Sequence, residues 1–482
     1  MLHKIYKSRK NYSVAIQKSL KLKAVWEAIT ISIKGGEQDF TNMRLGKSIF
    51  ILAVPMVLEM VMESLFAIVD IFFVSRLGSQ AIATVGLTES MITIVYSIGF
   101  GLSAGTSAII SRRTGEKDSN GASEAAVQAI IAGISVSLLI SIAGIFYSKT
   151  LLHLMGASQD LIDKNYMFTS ILISGNGVII LLFIINAAFR SAGDAAIAMR
   201  VLWYANILNL ILDPCLIFGL GPFPELGIKG AAIATTTGRG LAVVYQFYLL
   251  FSGKRALKLT FAKVYLKFKV LKQLIVLSLG GTMQNLIATT SWVFMVRTIS
   301  VFGSDVVAGY TIGLRIVVFS LLPSWGLSNA ASVLVGQNLG AGKPDRAERA
   351  AKITSIANIF VMGIAGLVLA LFPQQFIQIF TNEQTVILKG VEALRIISYG
   401  FLFYGLGMVM VQSLNGAGDT YTPTYINIFC FWMVEVPLAY FLAIYSGIGE
   451  NGVYYSIVVA ETMLALIGLV IFKMGKWKLK KV

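Results

Sequence analysis

Apolar stretches alternate along this chain with short polar joins. Each stretch reaches about 20 residues, the length at which an α-helix crosses roughly 30 Å of hydrocarbon. Backbone polar groups in lipid must be paired within the spanning structure, which leaves helices or closed barrels. Strict period-two alternation is absent, so the pattern predicts helices. About twelve spans follow from the length rule, centred near Val61, Ile98, Val136, Ser174, Leu208, Ala242, Ala288, Ser320, Met362, Phe401, Met433 and Ala460. Two joins are very short, Arg76-Leu77-Gly78-Ser79-Gln80 and Phe302-Gly303-Ser304-Asp305.

The chain also contains itself twice. Gly101-Leu102-Ser103-Ala104-Gly105-Thr106-Ser107 recurs as Gly326-Leu327-Ser328-Asn329-Ala330-Ala331-Ser332, Ser191-Ala192-Gly193-Asp194 recurs within Asn415-Gly416-Ala417-Gly418-Asp419, and Gly78 matches Gly303. All three matches share a shift of about 225 residues, the signature of an internal duplication. An even number of spans per half makes the two repeats parallel, related by an axis along the membrane normal. The expected fold is therefore all-α and integral to the membrane, with about twelve transmembrane helices in two pseudo-twofold-related six-helix bundles. The expected organisation is a basic tail over 1–44, a first lobe over 45–253, a basic linker over 254–269, a second lobe over 270–475 and a basic end over 476–482.

Composition agrees with this picture. Of 482 residues, 56% are hydrophobic and 13% charged, whereas a soluble domain carries roughly 25% charged residues. The net charge of +16 would suit a nucleic-acid partner in a soluble protein, but no accompanying motif supports one. Lys and Arg concentrate in the tail up to Lys47, the joins Lys254 to Lys272 and Lys343 to Lys352, and the end from Lys473 to Lys481. With an even span count all of these share one side, which the positive-inside rule makes cytoplasmic. Both termini are then cytoplasmic. Residues Ser13 to Ile33 read as a basic helix on the anionic inner leaflet or as a mobile basic tail. They lack the apolar core and small-residue cleavage site of a signal peptide, which suits a multi-pass protein of a bacterial inner (plasma) membrane. Cys215 and Cys430 both fall inside spans and read as small apolar fillers. No zinc-ligand set, nucleophile elbow or phosphate loop appears, so a transporter is expected rather than an enzyme, with no cofactor and acting as a monomer.

Charge inside the spans is the most informative feature. The first span carries Glu59, Glu63 and Asp70. At about 100° per residue, Glu63 lies roughly 40° and Asp70 roughly 20° from Glu59, so the three share a stripe with Phe66. An acid facing lipid near mid-span costs about 2.5–3.5 kcal/mol, and three would cost about 8–10 kcal/mol. The stripe must therefore face a wet cavity or the bundle interior. In the fifth span Asn206, Asn209 and Asp213 fall within about 60° of one another. Pro214 follows, lacks an N–H and frees the carbonyl of Leu210. Such a group of oxygens suits a small hard cation or a proton relay. Under the repeat shift, Glu59 pairs with Gln284, Glu63 with Ala288 and Asp70 with Met295, so the second bundle has lost the acids. Ion coupling is thus expected mainly in the first bundle. Met283, Gln284, Trp292 and Met295 of the second suit contact with an apolar or cationic substrate. Glu435, two residues before Pro437, has no assigned role.

The run Ala53-Val54-Pro55-Met56 through Val69-Asp70-Ile71-Phe72-Phe73-Val74-Ser75-Arg76-Leu77-Gly78 resembles the first span of multidrug and toxic compound extrusion (MATE) transporters. Leu212-Asp213-Pro214, the paired Ala-Gly-Asp turns and Gly230-Ala231-Ala232-Ile233-Ala234-Thr235 fit the same family, over about residues 40 to 475. The resemblance implies two six-helix lobes and cation-coupled efflux, H⁺ or Na⁺ exchanging for organic, often cationic and aromatic, small molecules. It places Asp70, Asn209, Asp213 and Thr235 in a polar ion-coupling cluster, where Na⁺ would sit at Asp70, Asn209 and Asp213. Glu59, Glu63 and Phe66 would then line the substrate cavity and adapt it to cations. Gln284-Asn285 stand where one sodium-coupled branch has a glutamate, which favours the DinF-like branch. The rival readings are a lipid-linked oligosaccharide flippase of the same superfamily, which needs basic residues in its cavity, with Arg297 and Arg315 the chief candidates, and a channel.

Overall fold

The computed structural model describes residues 26–36, 38–253, 255, 257–259 and 265–482. Most of the basic tail, and parts of the 254–269 linker, lie outside them. The described residues are helical apart from short turns, in two six-helix bundles. The first lobe holds α1 (Leu45–Ser75), α2 (Ser79–Gly115), α3 (Ser119–Leu154), α4 (Gln159–Ser191), α5 (Ala195–Phe218) and α6 (Ile228–Phe251). The second holds α7 (Phe268–Ile299), α8 (Ser304–Gly340), α9 (Pro344–Leu371), α10 (Gln384–Ser398 with Phe401–Gly416), α11 (Tyr421–Tyr445) and α12 (Asn451–Lys473). Among the described residues ten helices are long and apolar enough to cross a membrane, and the bent α10 pair makes eleven. Helix α6 has the length but carries Thr235, Thr236, Thr237, Arg239 and Gln246, and it packs on α5 and α4.

The 225-residue repeat holds in detail. Helices α2 and α8 are both 37 residues long and begin and end at equivalent positions. The turns before them use Gly78 at φ 96° and Gly303 at φ 105°, a backbone region that favours glycine. Helices α4 and α10 are both interrupted, at Gly175 and at Tyr399-Gly400, the latter with a 53° bend. These are the two spans whose predicted centres, Ser174 and Phe401, fell on the breaks. In α11, π-helical segments Ile428–Glu435 and Phe441–Tyr445 flank the turn that holds Pro437. Wider turns absorb the hydrogen bond that proline cannot make. Pro214, by contrast, leaves α5 helical to Phe218.

Each lobe has its own apolar core, one around Ile109, Ile184 and Val201 and another around Met295, Leu394 and Tyr454. The lobes meet through α2 on α7 and α1 on α8, where glycines replace side chains. A Cβ on Gly115 would lie 1.9 Å from the Gln337 carbonyl oxygen, and one on Gly340 would lie 2.0 Å from that of Arg112. Arg112 and Gln337 are themselves repeat partners, so the contact is reciprocal, as a twofold axis requires. The same holds for Gly101 against Thr282 and Gly326 against Val57. All these contacts lie in the halves of the helices nearest the termini. Toward the other face α2 exposes Glu89 and Ser90 and α8 exposes Arg315, charges that demand water. The lobes thus close at the face that carries the termini and open at the other.

The described end of the tail is docked. Phe40 is fully buried against both lobes, Arg346 donates to the carbonyls of Phe40, at 3.0 Å, and Met43, and Lys343 donates to that of Thr41 at 3.1 Å.

Candidate functional site: an inter-lobe cavity and a buried polar cluster

A cavity of about 250 Å³ lies between the lobes, beside the glycine seam. It is walled by α1, α2 and α4 of the first lobe and by α7, α8, α10 and α11 of the second. Phe100, Phe183 and Trp325 form one side, with ring centroids 4.9 Å apart for the two phenylalanines and 6.2 Å for Phe100 and Trp325. Glu59 and Gln284, which the repeat pairs, both line it.

The acid stripe of α1 faces inward, and two of its three charges are paired. Arg190 of α4 donates to Glu59 at 2.5 Å, and Asn186 donates to the same oxygen at 3.2 Å. Gln246 in turn donates to Asn186 at 2.6 Å. Arg239 of α6 donates to Glu63 at 3.0 Å and to the Tyr96 hydroxyl at 3.1 Å, and its guanidinium sits 4.8 Å over the Phe66 ring. Glu63 and Phe66 therefore belong to an Arg239 network rather than to the cavity lining. The two acids one turn apart on α1 each meet an arginine from a different helix. Arg297 and Arg315 are exposed, and Arg239 is 5% exposed. The basic groups that matter are thus Arg190 and Arg239.

Beyond Arg239, the stripe ends in a cluster whose acids form no ion pair among the described residues. Asn209 donates to Asp213 at 3.2 Å and reaches Thr235 at 3.4 Å, so α5 and α6 bring these three together. Asp70 and Asp213 interact electrostatically, as do Asp70 and Arg239. One oxygen each of Asp70, Asn209 and Asp213 is buried without a hydrogen-bond partner among the described residues. Asn206 turns away and donates to the Met62 carbonyl at 2.9 Å, pinning α5 to α1. Among the described residues no group of three or more His, Cys, Asp or Glu side chains could hold a metal ion. The cluster offers two carboxylates completed by amide and hydroxyl oxygens, a set for a hard monovalent cation or a proton rather than for a soft metal.

The second lobe differs from expectation. Of its four substrate candidates only Gln284 lines the cavity. Helix α7 turns Gly281, Gln284, Asn285 and Ala288 inward, the i, i+3, i+4, i+7 face of a helix. Met283 lies about 100° off that face by the same period and is 45% exposed. Met295 lies on the right azimuth but three turns further along, fully buried in the lobe core. Trp292 is half-buried and outside the lining. Glu435 is buried inside the lobe, where it accepts from Ser291 at 2.8 Å and interacts electrostatically with Glu461.

Sequence reasoning missed Arg190, although a signal existed. It is the sole charge of the apolar segment Asn176–Ser191, and such a residue is a functional candidate whichever its sign. The Glu63–Arg239 link gives a measurable consequence. Glu63→Gln leaves Arg239 buried without its carboxylate and should destabilise the protein by about 3–5 kcal/mol. The double change Glu63→Gln with Arg239→Gln should recover most of that loss. Thermal unfolding in detergent checks both, and equal melting of the single variant and the parent would mean that the pair carries no weight.

Comparison with known proteins agrees with this geometry. The MatE family model matches residues 55–215 and 282–441, one match in each lobe. The chain is 24% identical over 437 residues to "Probable multidrug resistance protein NorM" of Thermotoga maritima, covering 90% of this chain and 94% of that one. It is 27% identical over 397 residues to the "FAD transporter" of Shewanella oneidensis, covering 82% and 87%. Among solved structures, the "outward-facing conformation of a multidrug resistance MATE family transporter of the MOP superfamily" superposes with a TM-score of 0.85 at 25% identity, covering 90% of this chain and 96% of that one. A MOP superfamily transporter from Pyrococcus furiosus shares the fold with a TM-score of 0.86 at 24% identity, covering 92% and 98%. With both lobes matched, the repeat preserved and an inter-lobe cavity in place, the chain belongs to the MATE family of multi-pass membrane transporters.

Proposed function

We propose that this transporter is a cation-coupled antiporter of the DinF-like branch, which exports organic compounds through the inter-lobe cavity, with the ion handled by the first lobe. One observation carries the reading. Asn209 links Asp213 to Thr235, Asp70 interacts electrostatically with Asp213, and one oxygen each of Asp70, Asn209 and Asp213 is buried without a partner among the described residues; buried polar atoms left without partners cost about 1–3 kcal/mol each. A bound H⁺ or Na⁺ recovers that cost. In a plasma membrane with both termini cytoplasmic, the described conformation is open to the outside, and the cluster takes up its ion from there.

Uptake changes the electrostatics felt by Arg239. With Asp70 neutralised, Arg239 is held by Glu63, Tyr96 and the Phe66 ring, and α1 can shift relative to α6. Glu59, one turn before Glu63 on α1, passes that shift to Arg190 and the cavity wall. Substrate leaves, the lobes rock about the pseudo-twofold axis, and the ion departs to the cytoplasm. One charge entering down 100 mV supplies about 2.3 kcal/mol, a factor of roughly 50 in a binding equilibrium. Relatives named for multidrug export and for FAD transport support an organic substrate and leave its charge open. The flippase reading is not favoured, since the arginine at the cavity is already matched by Glu59.

The test is efflux of a fluorescent dye from membrane vesicles with the proton and sodium gradients imposed one at a time. Efflux should follow one imposed gradient and collapse with its ionophore. Efflux that ignores both gradients would refute the coupling.

A further inference from the structure

The repeat exposes a comparison inside the cavity itself. Glu59 and Arg190 form an ion pair across α1 and α4. Shifted by 225 residues, the same two positions are Gln284 and Asn415, and they also pair. Gln284 donates to the Asn415 side-chain oxygen at 3.1 Å, and Asn415 donates back at 3.1 Å. The two lobes thus present to the cavity an ion pair and its uncharged counterpart. Among the described lining residues Glu59 and Arg190 are the charged ones, so the wall carries no surplus charge.

The remaining polarity is amide. Gln284, Asn285, Asn329, Gln412, Asn415 and Asn427 all line the cavity. Three buried atoms there lack partners among the described residues, namely Glu59 Oε2, Ser103 Oγ and Asn427 Oδ1. Glu59, Ser103 and Asn427 are each less than 8% exposed, so these atoms are not satisfied at the protein surface. Two of the three can only accept. The neighbouring carboxamides can both donate and accept. The rings of Phe100, Phe183 and Trp325 also line the cavity and favour a flat aromatic partner.

Resting on the transport reading above, we propose that the cavity's substrate is a net-neutral, planar heterocycle with an amide or imide edge, and that the Glu59–Arg190 pair excludes lipophilic cations. A permanent cation entering the cavity gives up part of its hydration, and a wall of zero net charge does not replace it. A neutral ring loses far less and gains the amide contacts. The volume of about 250 Å³ suits a compound of two or three fused rings.

The experiment measures equilibrium binding to the full-length protein in detergent, with no gradient present, so that it is independent of ion coupling. The probes are lumichrome, a neutral tricycle with an imide edge, and tetraphenylphosphonium, a lipophilic cation. The parent protein should bind lumichrome at least tenfold more tightly. Arg190→Gln leaves Glu59 uncompensated and should reverse the order. Glu59→Gln with Arg190→Asn rebuilds in the first lobe the neutral pair of the second and should restore it. Ser103→Ala and Asn427→Leu, which remove unpartnered groups without removing a charge, should weaken lumichrome several-fold and leave the cation unaffected. Tetraphenylphosphonium binding the parent as tightly as lumichrome would overturn the proposal. So would an unchanged order in monodisperse Arg190→Gln, or equal losses for both probes in Ser103→Ala and Asn427→Leu.

Discussion

Asp70→Asn should insert, fold and resist heat at least as well as the parent, yet lose gradient-driven efflux entirely. The two halves of this expectation come from one fact. Asp70 has a buried oxygen with no partner, so its charge is a cost to the fold, up to about 2.5–3.5 kcal/mol near mid-membrane. A neutral amide of the same shape relieves that cost, but it can neither take up a proton nor offer a charge to Na⁺. Asp213→Asn should behave alike, since Asp213 shares the cluster and also has an unpartnered oxygen. The contrast with Glu63→Gln is diagnostic, because there a paired charge is removed and stability falls. Gradient-driven transport by Asp70→Asn in proteoliposomes, at the parent's rate, would take the ion-coupling role away from this cluster.

A second large effect is expected at the seam between lobes. Gly115→Leu and Gly340→Leu each place a side chain where even a Cβ would sit about 2 Å from a carbonyl oxygen of the opposite lobe. Backbone on both sides cannot yield as a flexible side chain would. Overpacking of this kind costs typically about 1–3 kcal/mol, occasionally more, and every 1.4 kcal/mol is tenfold in the balance of conformations. The lobes should therefore separate at the face that carries the termini, and transport should stop. Cysteines placed at Ser111 and Ser332, in a background where Cys215 and Cys430 are alanine, report the opening. They should react with a water-soluble maleimide faster in the glycine variants than in the parent. Unchanged labelling together with unchanged transport would show that the seam is not the closed gate.

These two predictions divide the molecule as its physics does. The polar cluster of α1, α5 and α6 keeps buried oxygens without partners among the described residues. The seam is close-packed backbone against backbone, which gives two discrete arrangements rather than a continuum. Between them runs α1, with Asp70 at one end of its stripe and Glu59 at the cavity. Rocking of the lobes couples the two sites only if α1 moves as a unit, and its 31 residues form one unbroken helix through Pro55.

How much of this the amino-acid sequence could settle follows from the kind of interaction involved. The spans, the duplication, the two bundles and the inward direction of Glu59, Glu63 and Asp70 were all decided by the chain alone. Each is a matter of transfer free energy or of period along one helix, and those are local. Helix α6 is expected as a span from its length and flanking joins, and the structure makes it a 24-residue helix whose polar residues keep it outside the group apolar enough to cross a membrane. The partners were decided only in three dimensions. Nothing along α1 says that Glu59 meets Arg190, 131 residues away, or that Glu63 meets Arg239, 176 residues away. The same limit explains why Met283 and Met295 were misplaced. The azimuth of α7 is set by glycine contacts of Gly101 and Gly281 across the lobe boundary, and a helix's own sequence does not fix its rotation against a neighbour. Sequence thus determined which charges had to be hidden from lipid, and the tertiary packing determined which of them were neutralised and which were left without a partner.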